Sequence, residues 1–207
     1  MTLGELARYD KQQLQLQTAL TVVPMQGWQR GDWYDSTSLA WVNPSPNLRD
    51  LEEATLYPGI GLIETTNISV GRGTDTPFEL VGAPWIDARA LAQFLNRRQL
   101  PGVRFVPVDF TPQKPFPYAG EPCHGVRILA IDRNVLDAPE LGVEMASALH
   151  RLYPENFELQ KMNTLLANQT VLDAIAAGQD PQRIAEDWRA ALDAFEQQRQ
   201  KALIYTP

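Results

Sequence analysis

The chain has only one cysteine and two histidines among its 207 residues. A single thiol, Cys123, excludes an internal disulfide framework and cannot by itself define a metal site. His124 follows it directly, but neighbouring residues of a strand point to opposite faces, and His150 lies far along the chain. We therefore expect no metal and assign Cys123 and His124 structural roles.

The sequence also lacks any long hydrophobic run and any basic stripe. Its apolar stretches fall well short of the ~20 residues that span a bilayer, and Met1–Leu6 has neither a basic nor an apolar signal region. The net charge is −7, and the Lys and Arg residues are scattered. We therefore predict a soluble chain that binds neither membrane nor nucleic acid.

Nucleotide-binding glycine patterns are missing too. Gly71-Arg72-Gly73-Thr74 has no P-loop lysine, and its two glycines lack the third that a dinucleotide fingerprint requires. We therefore expect no cofactor.

Hydrophobic residues make up 44% of the chain and charged residues 21%, which is typical of a globular protein with one substantial core. Periodicity and capping residues predict helices at about 2–16, 50–57, from Asp87 to before Pro101, 139–152 and 171–177. The first has Thr2 as N-cap with Glu5 as its capping-box partner, and the second has Asp50 as N-cap and ends before Pro58. A long C-terminal helix is predicted from Asp180-Pro181, with a core stripe of Ile184, Trp188, Leu192 and Phe195. Strands are predicted at 19–25, 60–63, 103–108 and 126–131, and residues 77–81 are predicted as strand or extended chain. The predicted fold class is mixed α/β (α+β): a compact domain with a small mixed sheet flanked by helices.

Polar side chains concentrate between residues 64 and 79, directly after the apolar segment 59–63. This polar loop contains Gly71 and Gly73 together with carboxylates, hydroxyls, an Asn and an Arg that a packed core does not favour. Because loops presented by a rigid element often carry function, we take it as the candidate site.

Several segments resemble one family when they are read in order. They are Trp41–Leu48, Leu56-Tyr57-Pro58-Gly59, Glu64–Thr74, Pro77–Trp85 and Pro101–Phe105, with Cys123-His124-Gly125-Val126 and Leu152-Tyr153-Pro154 further on. Together they resemble the C-terminal half of the NamZ family, and Met1–Ala7 is similar to the junction after that family's N-terminal domain.

The resemblance implies an exo-β-N-acetylmuramidase, a glycoside hydrolase that releases N-acetylmuramic acid from fragments of bacterial cell-wall peptidoglycan. It implies a larger upstream Rossmann-like domain with the catalytic Glu in a Pro-Glu-His-Gly segment, which this sequence does not contain. We thus expect residues 1–35 to be the end of that domain or a junction, and residues 36–207 to be a substrate-cleft domain, inactive alone. Thr65 stands where relatives more often have Gly. The family implies a secreted, periplasmic or cell-envelope location.

Glu64 and Glu79 flank the polar loop and are weak candidates for a catalytic pair. Glycosidases use two carboxyl groups ~5–5.5 Å or ~6.5–9.5 Å apart, but a Glu beside a strand is as often a partner in an ion pair. The alternatives are therefore a self-sufficient hydrolase using both residues, or a non-catalytic module that binds cell-wall sugar or docks onto another domain.

The expected substrate is a muropeptide or muramyl sugar. Arg72 is the candidate partner of the lactyl carboxylate, unless Asp75 or Glu79 holds it as a loop brace. Asn67, Ser69 and Thr74 are candidates for the sugar's polar groups or for bonding the loop's own backbone. Trp85 is a candidate stacking surface, although tryptophan is more commonly packed.

Overall fold

The computed structural model describes residues 1–205, which form two compact units. The larger unit is Trp41–Glu186, and the smaller unit is Met1–Ala40 with the chain from Asp187 onward. These units do not test whether residues 1–35 belong to the end of another domain, which stays a prediction. No helix in the described part of the chain is long and apolar enough to cross a bilayer.

Helices dominate both units. Within residues 1–205 the α-helices are α1 Leu3–Gln13, α2 Leu51–Ile60, α3 Ala88–Arg97, α4 Ala138–Leu152, α5 Asn163–Leu166, α6 Gln169–Ala176 and α7 Pro181–Arg199, and short 3₁₀ turns occupy Tyr34–Ser36, Gly61–Ile63 and Leu159–Met162. The strands are β1 Leu80–Ala83, β2 Val103–Phe110 and β3 Cys123–Ala130. The predicted fold class and long C-terminal helix are confirmed.

The three strands form one sheet in the order β1-β3-β2, and both pairings are antiparallel, where the sequence suggested a mixed sheet. Asn96 of α3 lies against the edge strand β2. Its side-chain amide donates to the carbonyl of Phe105 at 2.8 Å, and its side-chain oxygen accepts from the Phe105 N–H at 3.1 Å. This side chain satisfies backbone groups that the sheet edge leaves open.

Helices α2 and α4 approach each other closely at two glycines. A Cβ atom on Gly59 would lie 1.8 Å from the carbonyl oxygen of Ala138, and one on Gly142 would lie 2.4 Å from the carbonyl oxygen of Gly59. Any side chain at either position would push the helices apart. The polar loop follows directly on this contact, so its starting point is fixed by helix packing.

The strand predicted at 60–63 is wrong. The segment continues α2 and then forms a 3₁₀ turn, so the helix also runs past Pro58 to Ile60. Leu56, Ile60 and Ile63 are all fully buried, and their spacing of four and three places them on one helical face. A short apolar run does not distinguish strand from helix, and packing against α4 decides the outcome here.

Two further details differ from the sequence prediction. Residues 19–25 form no strand, and Val23 is 86% exposed, because no described strand pairs with this β-branched segment. In α7, Ile184 is buried, but Trp188 is half-buried and Phe195 is exposed, so the predicted apolar stripe reaches the core only at its first member. Phe195 instead meets the edge of Tyr9, with ring centroids 5.6 Å apart.

The smaller unit is organised around one buried carboxylate. Thr2 and Glu5 form the predicted capping box of α1. Glu5 also accepts hydrogen bonds from the guanidinium of Arg30 at 2.5 Å and from the backbone N–H of Ile204 at 2.8 Å. Burial alone would raise the pKa of Glu5, but these bonds, with those from the N–H groups of Thr2 and Tyr205, lower it to about 2.

Candidate functional site

The polar loop is shaped by its two glycines. Gly71 and Gly73 have φ angles of +79° and +83°, which strain other residues. A Cβ atom on Gly73 would also lie 2.5 Å from the carbonyl oxygen of Gln113, whose N–H donates to the Gly73 carbonyl at 2.9 Å. The glycines therefore bring the loop against the segment around Gln113.

Arg72 is held by Glu64, a partner the sequence analysis did not consider. Its Nε atom lies 2.7 Å from one carboxylate oxygen, and its Nη2 atom donates to the other at 3.0 Å. The guanidinium also lies over the ring of Phe78, 5.1 Å from its centroid. Both side chains of the ion pair keep a quarter of their surface exposed, so Glu64 and Arg72 form a brace at the surface of the loop.

The predicted sugar contacts Asn67, Ser69 and Thr74 all bond to the protein itself. The Asn67 amide donates to the carbonyl of Asn156 at 2.7 Å and accepts from the N–H of Glu158 at 2.9 Å. The buried Ser69 hydroxyl accepts from the Gly71 N–H, and the Thr74 hydroxyl donates to the Gly71 carbonyl at 2.6 Å. These bonds fix the conformation of the loop.

Trp85 lies outside the loop, just after β1, and is half-buried. Its ring meets that of Tyr153 edge-on at 5.4 Å. The Tyr153 hydroxyl in turn exchanges hydrogen bonds with the backbone of Asp87, both at 3.1 Å. Trp85 therefore packs against the end of α4 while part of its surface stays exposed.

Glu79 is buried and pairs with Arg127, whose Nη2 atom lies 2.8 Å from its carboxylate. Burial raises the pKa of Glu79 above its usual value, against the hydrogen bond from Arg127, which lowers it. Each of Glu64 and Glu79 is thus committed to its own arginine. These two ion pairs favour structural roles for both carboxylates.

Carboxylate oxygens of Asp50, Glu53 and Glu79 lie within 4.8 Å of one another. Asp50 caps α2 by accepting the Glu53 N–H at 2.9 Å, and Glu53 accepts the backbone N–H of Arg49. Burial raises the pKa of Glu53 as well. Each of the three carboxylates also accepts a hydrogen bond from the protein's own donors.

A groove of about 460 Å³ opens beside the polar loop. We call it the loop groove, and its lining includes Asn47, Arg49, Gly73, Thr74, Asp75, Phe110, Gln113, Lys114 and Phe116. Two cations and one carboxylate therefore face one concave surface. The described residues form no ion pair with Lys114 or Asp75, so both are available to a ligand.

Arg49 and Lys114 were missed by the sequence analysis. Arg49 donates to the Thr74 carbonyl at 2.7 Å, which fixes it to the loop, and its Nε atom lies 3.7 Å from Glu53. Lys114 belongs to the proline-rich excursion between β2 and β3. The sequence holds no specific signal for this contact, because a glycine such as Gly73 permits a close approach of two backbones but does not identify the segment that approaches it.

The fold and the loop define a class of protein: an α+β domain whose antiparallel sheet and paired helices present a glycine-shaped polar loop beside a cationic groove. Sequence profiles identify the class further. The profile described as "Exo-beta-N-acetylmuramidase NamZ, C-terminal" matches residues 55–205, and its N-terminal counterpart matches residues 1–52. The chain belongs to the exo-β-N-acetylmuramidase NamZ family, which confirms the resemblance and its association with glycoside hydrolases and cell-wall peptidoglycan.

Three relatives extend this result. The chain is 40% identical over 208 residues to peptidoglycan beta-N-acetylmuramidase NamZ of Bacillus subtilis (strain 168), an alignment that covers 99% of this chain and 50% of that protein. Crystal structures of two DUF1343 family proteins from Bacteroides fragilis NCTC 9343 match with TM-scores of 0.88 and 0.77, at 27% and 26% identity. They cover 98% and 100% of this chain and 56% of each of those chains. The chain thus spans about half the length of these relatives.

Proposed function

We propose that this chain forms the substrate-cleft domain of an exo-β-N-acetylmuramidase that acts on peptidoglycan fragments. The observation that carries the proposal is the 40% identity to a peptidoglycan muramidase across 99% of the chain. In this proposal the catalytic acid belongs to a region corresponding to the other half of that relative, and the chain alone does not hydrolyse the glycosidic bond.

The loop groove is the proposed surface for the muramyl sugar. A muramyl sugar carries a lactyl carboxylate, and a cation without an internal partner is suited to bind it. Lys114 meets that condition, whereas Arg72 is already bound by Glu64. We therefore assign the carboxylate to Lys114, with Arg49 beside it, and assign Arg72, Asn67 and Ser69 to holding the loop in shape.

Exposed apolar residues in the smaller unit support a partner domain. Leu3 and Val23 are both 86% exposed, and Leu6 and Leu20 are about 40% exposed. Apolar surface of this kind is typical of a contact with another domain or chain. The proposed occupant is the upstream Rossmann-like domain that the family resemblance implies, and the match of residues 1–52 to the N-terminal family profile supports it.

Two other functions are weaker. A self-sufficient hydrolase would need Glu64 and Glu79 free to face one sugar, but each is bound by a different arginine. A sugar-binding or docking module without catalysis would use the same groove. The main proposal differs from it in one respect: it expects catalytic activity once this chain is joined to the missing half of the enzyme.

The test is a chimera of two parts. Its first part is the half of the Bacillus subtilis relative that this chain does not match, and its second part is this chain. We expect the chimera to release nitrophenol from a nitrophenyl β-N-acetylmuramide, and the chain alone to release none. In the chimera, Lys114→Gln should raise KM for the muramide roughly ten- to a hundredfold, since a charge-assisted contact contributes about 1.5–3 kcal/mol.

One control variant makes the result specific, and two other outcomes would favour the alternative functions. Lys161→Gln removes a lysine outside the groove and should leave KM unchanged. An inactive but folded chimera that still binds muramic acid would favour the non-catalytic module. Turnover by the chain alone that Glu64→Gln abolishes would establish the self-sufficient hydrolase instead.

A further inference from the structure

The loop groove contains a carboxylate that the proposed function does not use. Asp75 lines this groove together with the cations Arg49 and Lys114, and it is exposed. Among residues 1–205, none forms a hydrogen bond or an ion pair with the Asp75 side chain. A free carboxylate at a concave surface is available to the ligand that the groove binds.

The polar loop holds Asp75 in a defined place. On one side, the carbonyl of Thr74 accepts a hydrogen bond from Nη2 of Arg49 at 2.7 Å, and the Thr74 hydroxyl donates to the carbonyl of Gly71 at 2.6 Å. On the other side, the N–H of Thr76 donates to the same hydroxyl at 3.2 Å. The backbone that carries Asp75 is therefore ordered before a ligand binds, which lowers the entropy lost on binding.

The charges along the groove match a ligand with one negative charge. Arg49 and Lys114 are positive, and Asp75 is negative. Arg49 also lies 3.7 Å from a carboxylate oxygen of the buried Glu53, which offsets part of its charge. Physiological salt screens charges over about 8 Å, a distance comparable to the width of a groove of about 460 Å³, so a bound ligand interacts with all three groups. One ligand carboxylate is thus balanced, whereas a further negative charge is repelled by Asp75.

Asp75 also selects its ligand by hydrogen bonding. An ionised carboxylate has acceptors only, so its ligand must offer hydroxyl or amide N–H donors. A muramyl sugar offers both, in its hydroxyls and its acetamido group, beside a single lactyl carboxylate. A phosphate on the primary hydroxyl would replace a donor by an anion. The hydrogen-bonding requirement and the charge requirement of Asp75 therefore disfavour the same sugars.

We propose that Asp75 makes the loop groove selective for sugars with a single carboxylate, because it accepts hydrogen bonds from their hydroxyl or amide groups and repels sugars that also carry a phosphate. This inference rests on the proposed function, since it takes the loop groove as the site of the muramyl sugar. Within that site, Lys114 binds the carboxylate and Asp75 determines which anionic sugars are accepted.

The test compares N-acetylmuramic acid with the same sugar phosphorylated on its primary hydroxyl. Ligand-observed NMR gives the affinity of each sugar for the 207-residue chain. We expect N-acetylmuramic acid to bind at least about tenfold more tightly, because like charges at close range repel strongly. Asp75→Asn keeps the shape of the side chain and removes its charge. It should reduce this ratio to about threefold or less, mainly by strengthening the binding of the phosphorylated sugar.

The matched control is Asp193→Asn, which removes an exposed carboxylate of α7 outside the groove. It should leave the ratio of the two affinities unchanged. The proposal is overturned if the original chain and Asp75→Asn give the same ratio. It is also overturned if Asp193→Asn changes the ratio as much as Asp75→Asn does, which would indicate an effect of net charge alone.

Lys114→Gln separates this inference from the proposed function. If Lys114→Gln weakens the binding of N-acetylmuramic acid while Asp75→Asn leaves the ratio unchanged, the groove is the sugar site and only the role of Asp75 is wrong. If Lys114→Gln changes neither affinity, or if neither sugar binds at tens of millimolar, the loop groove is not the sugar site and both proposals fail.

Discussion

Glu5 has a fully buried side chain, yet it stays ionised because several donors converge on it. Four groups donate to this one carboxylate: the guanidinium of Arg30 and the backbone N–H groups of residues 2, 204 and 205. A buried carboxylate without such partners would be protonated instead. Glu5, the capping-box residue in the first turn of α1, thus also joins residues near the two ends of the chain within the smaller unit.

The first prediction follows from the low pKa of Glu5, which is about 2 in place of 4.5. A lowered folded-state pKa stabilises the protein above pH 4.5, and that stability is lost as the pH falls towards 2. Glu5→Gln should therefore lower the free energy of opening of the smaller unit by roughly 3 kcal/mol at pH 7. Amide hydrogen exchange in α1 measures this loss.

The control is Glu196→Gln, which removes a half-exposed carboxylate from the same unit. It should change protection in α1 by less than about 0.5 kcal/mol. The difference in the free energy of opening between the original chain and Glu5→Gln should become smaller as the pH falls from 4.5 to about 2. If this difference in free energy stays constant across that pH range, the charge of Glu5 is not what stabilises the smaller unit.

At the scale of elements, Arg98 joins three helices through one guanidinium. It follows α3, binds Glu144 in the middle of α4, and binds Asp180 immediately before α7. Glu144 has only 1% of its side chain exposed, so its charge depends on this partner. Asp180 is half-exposed, and water can replace its contact.

The second prediction is that Arg98→Met lowers the free energy of unfolding by about 3–5 kcal/mol, because it leaves the Glu144 charge buried without compensation. Asp180→Asn should cost no more than about 1 kcal/mol, since Asn still caps α7 and the lost ion pair is exposed. Urea unfolding followed by circular dichroism gives both values.

The double variant Arg98→Met with Glu144→Gln separates charge from packing. Removing the stranded charge should recover a large part of the loss. If the double variant is no more stable than Arg98→Met alone, Arg98 stabilises the helices by packing and not by neutralising Glu144.

At the scale of the whole molecule, exposed apolar residues gather in the smaller unit. Val22 packs against Gly4 of α1: a Cβ atom on Gly4 would lie 2.5 Å from the side chain of Val22. The segment that contains Val23 therefore lies against the same helix that carries Leu3. Leu3 and Val23 are each 86% exposed. Surfaces of this kind favour association when no partner covers them.

The third prediction is that the chain alone self-associates as its concentration rises, and that Leu3→Ser with Val23→Ser shifts this association to higher concentration. Sedimentation velocity over a concentration series is the measurement. Leu165→Ser, which removes an exposed leucine from the larger unit, is the matched control and should have no effect. A chain that stays monomeric throughout would count against a partner surface in this unit.

The sequence by itself determined the features that depend on neighbouring residues. Thr2, Asp50 and Asp87 were predicted as helix caps, and each accepts the backbone N–H groups expected of it. The helix 138–152 and the strands β2 and β3 were also found from sequence, because capping and periodicity act within a few residues. The ordered motifs were enough to indicate the family.

Only the tertiary structure decided the features that join distant segments. Ile60–Ile63 is helical because α4 packs against it, and Arg72 is bound by Glu64 across the loop. Lys114 reaches the candidate groove because Gly73 lets two backbones meet. Composition indicated that the loop was polar, but which groups stay free for a ligand depends on which partners the fold brings within hydrogen-bonding distance.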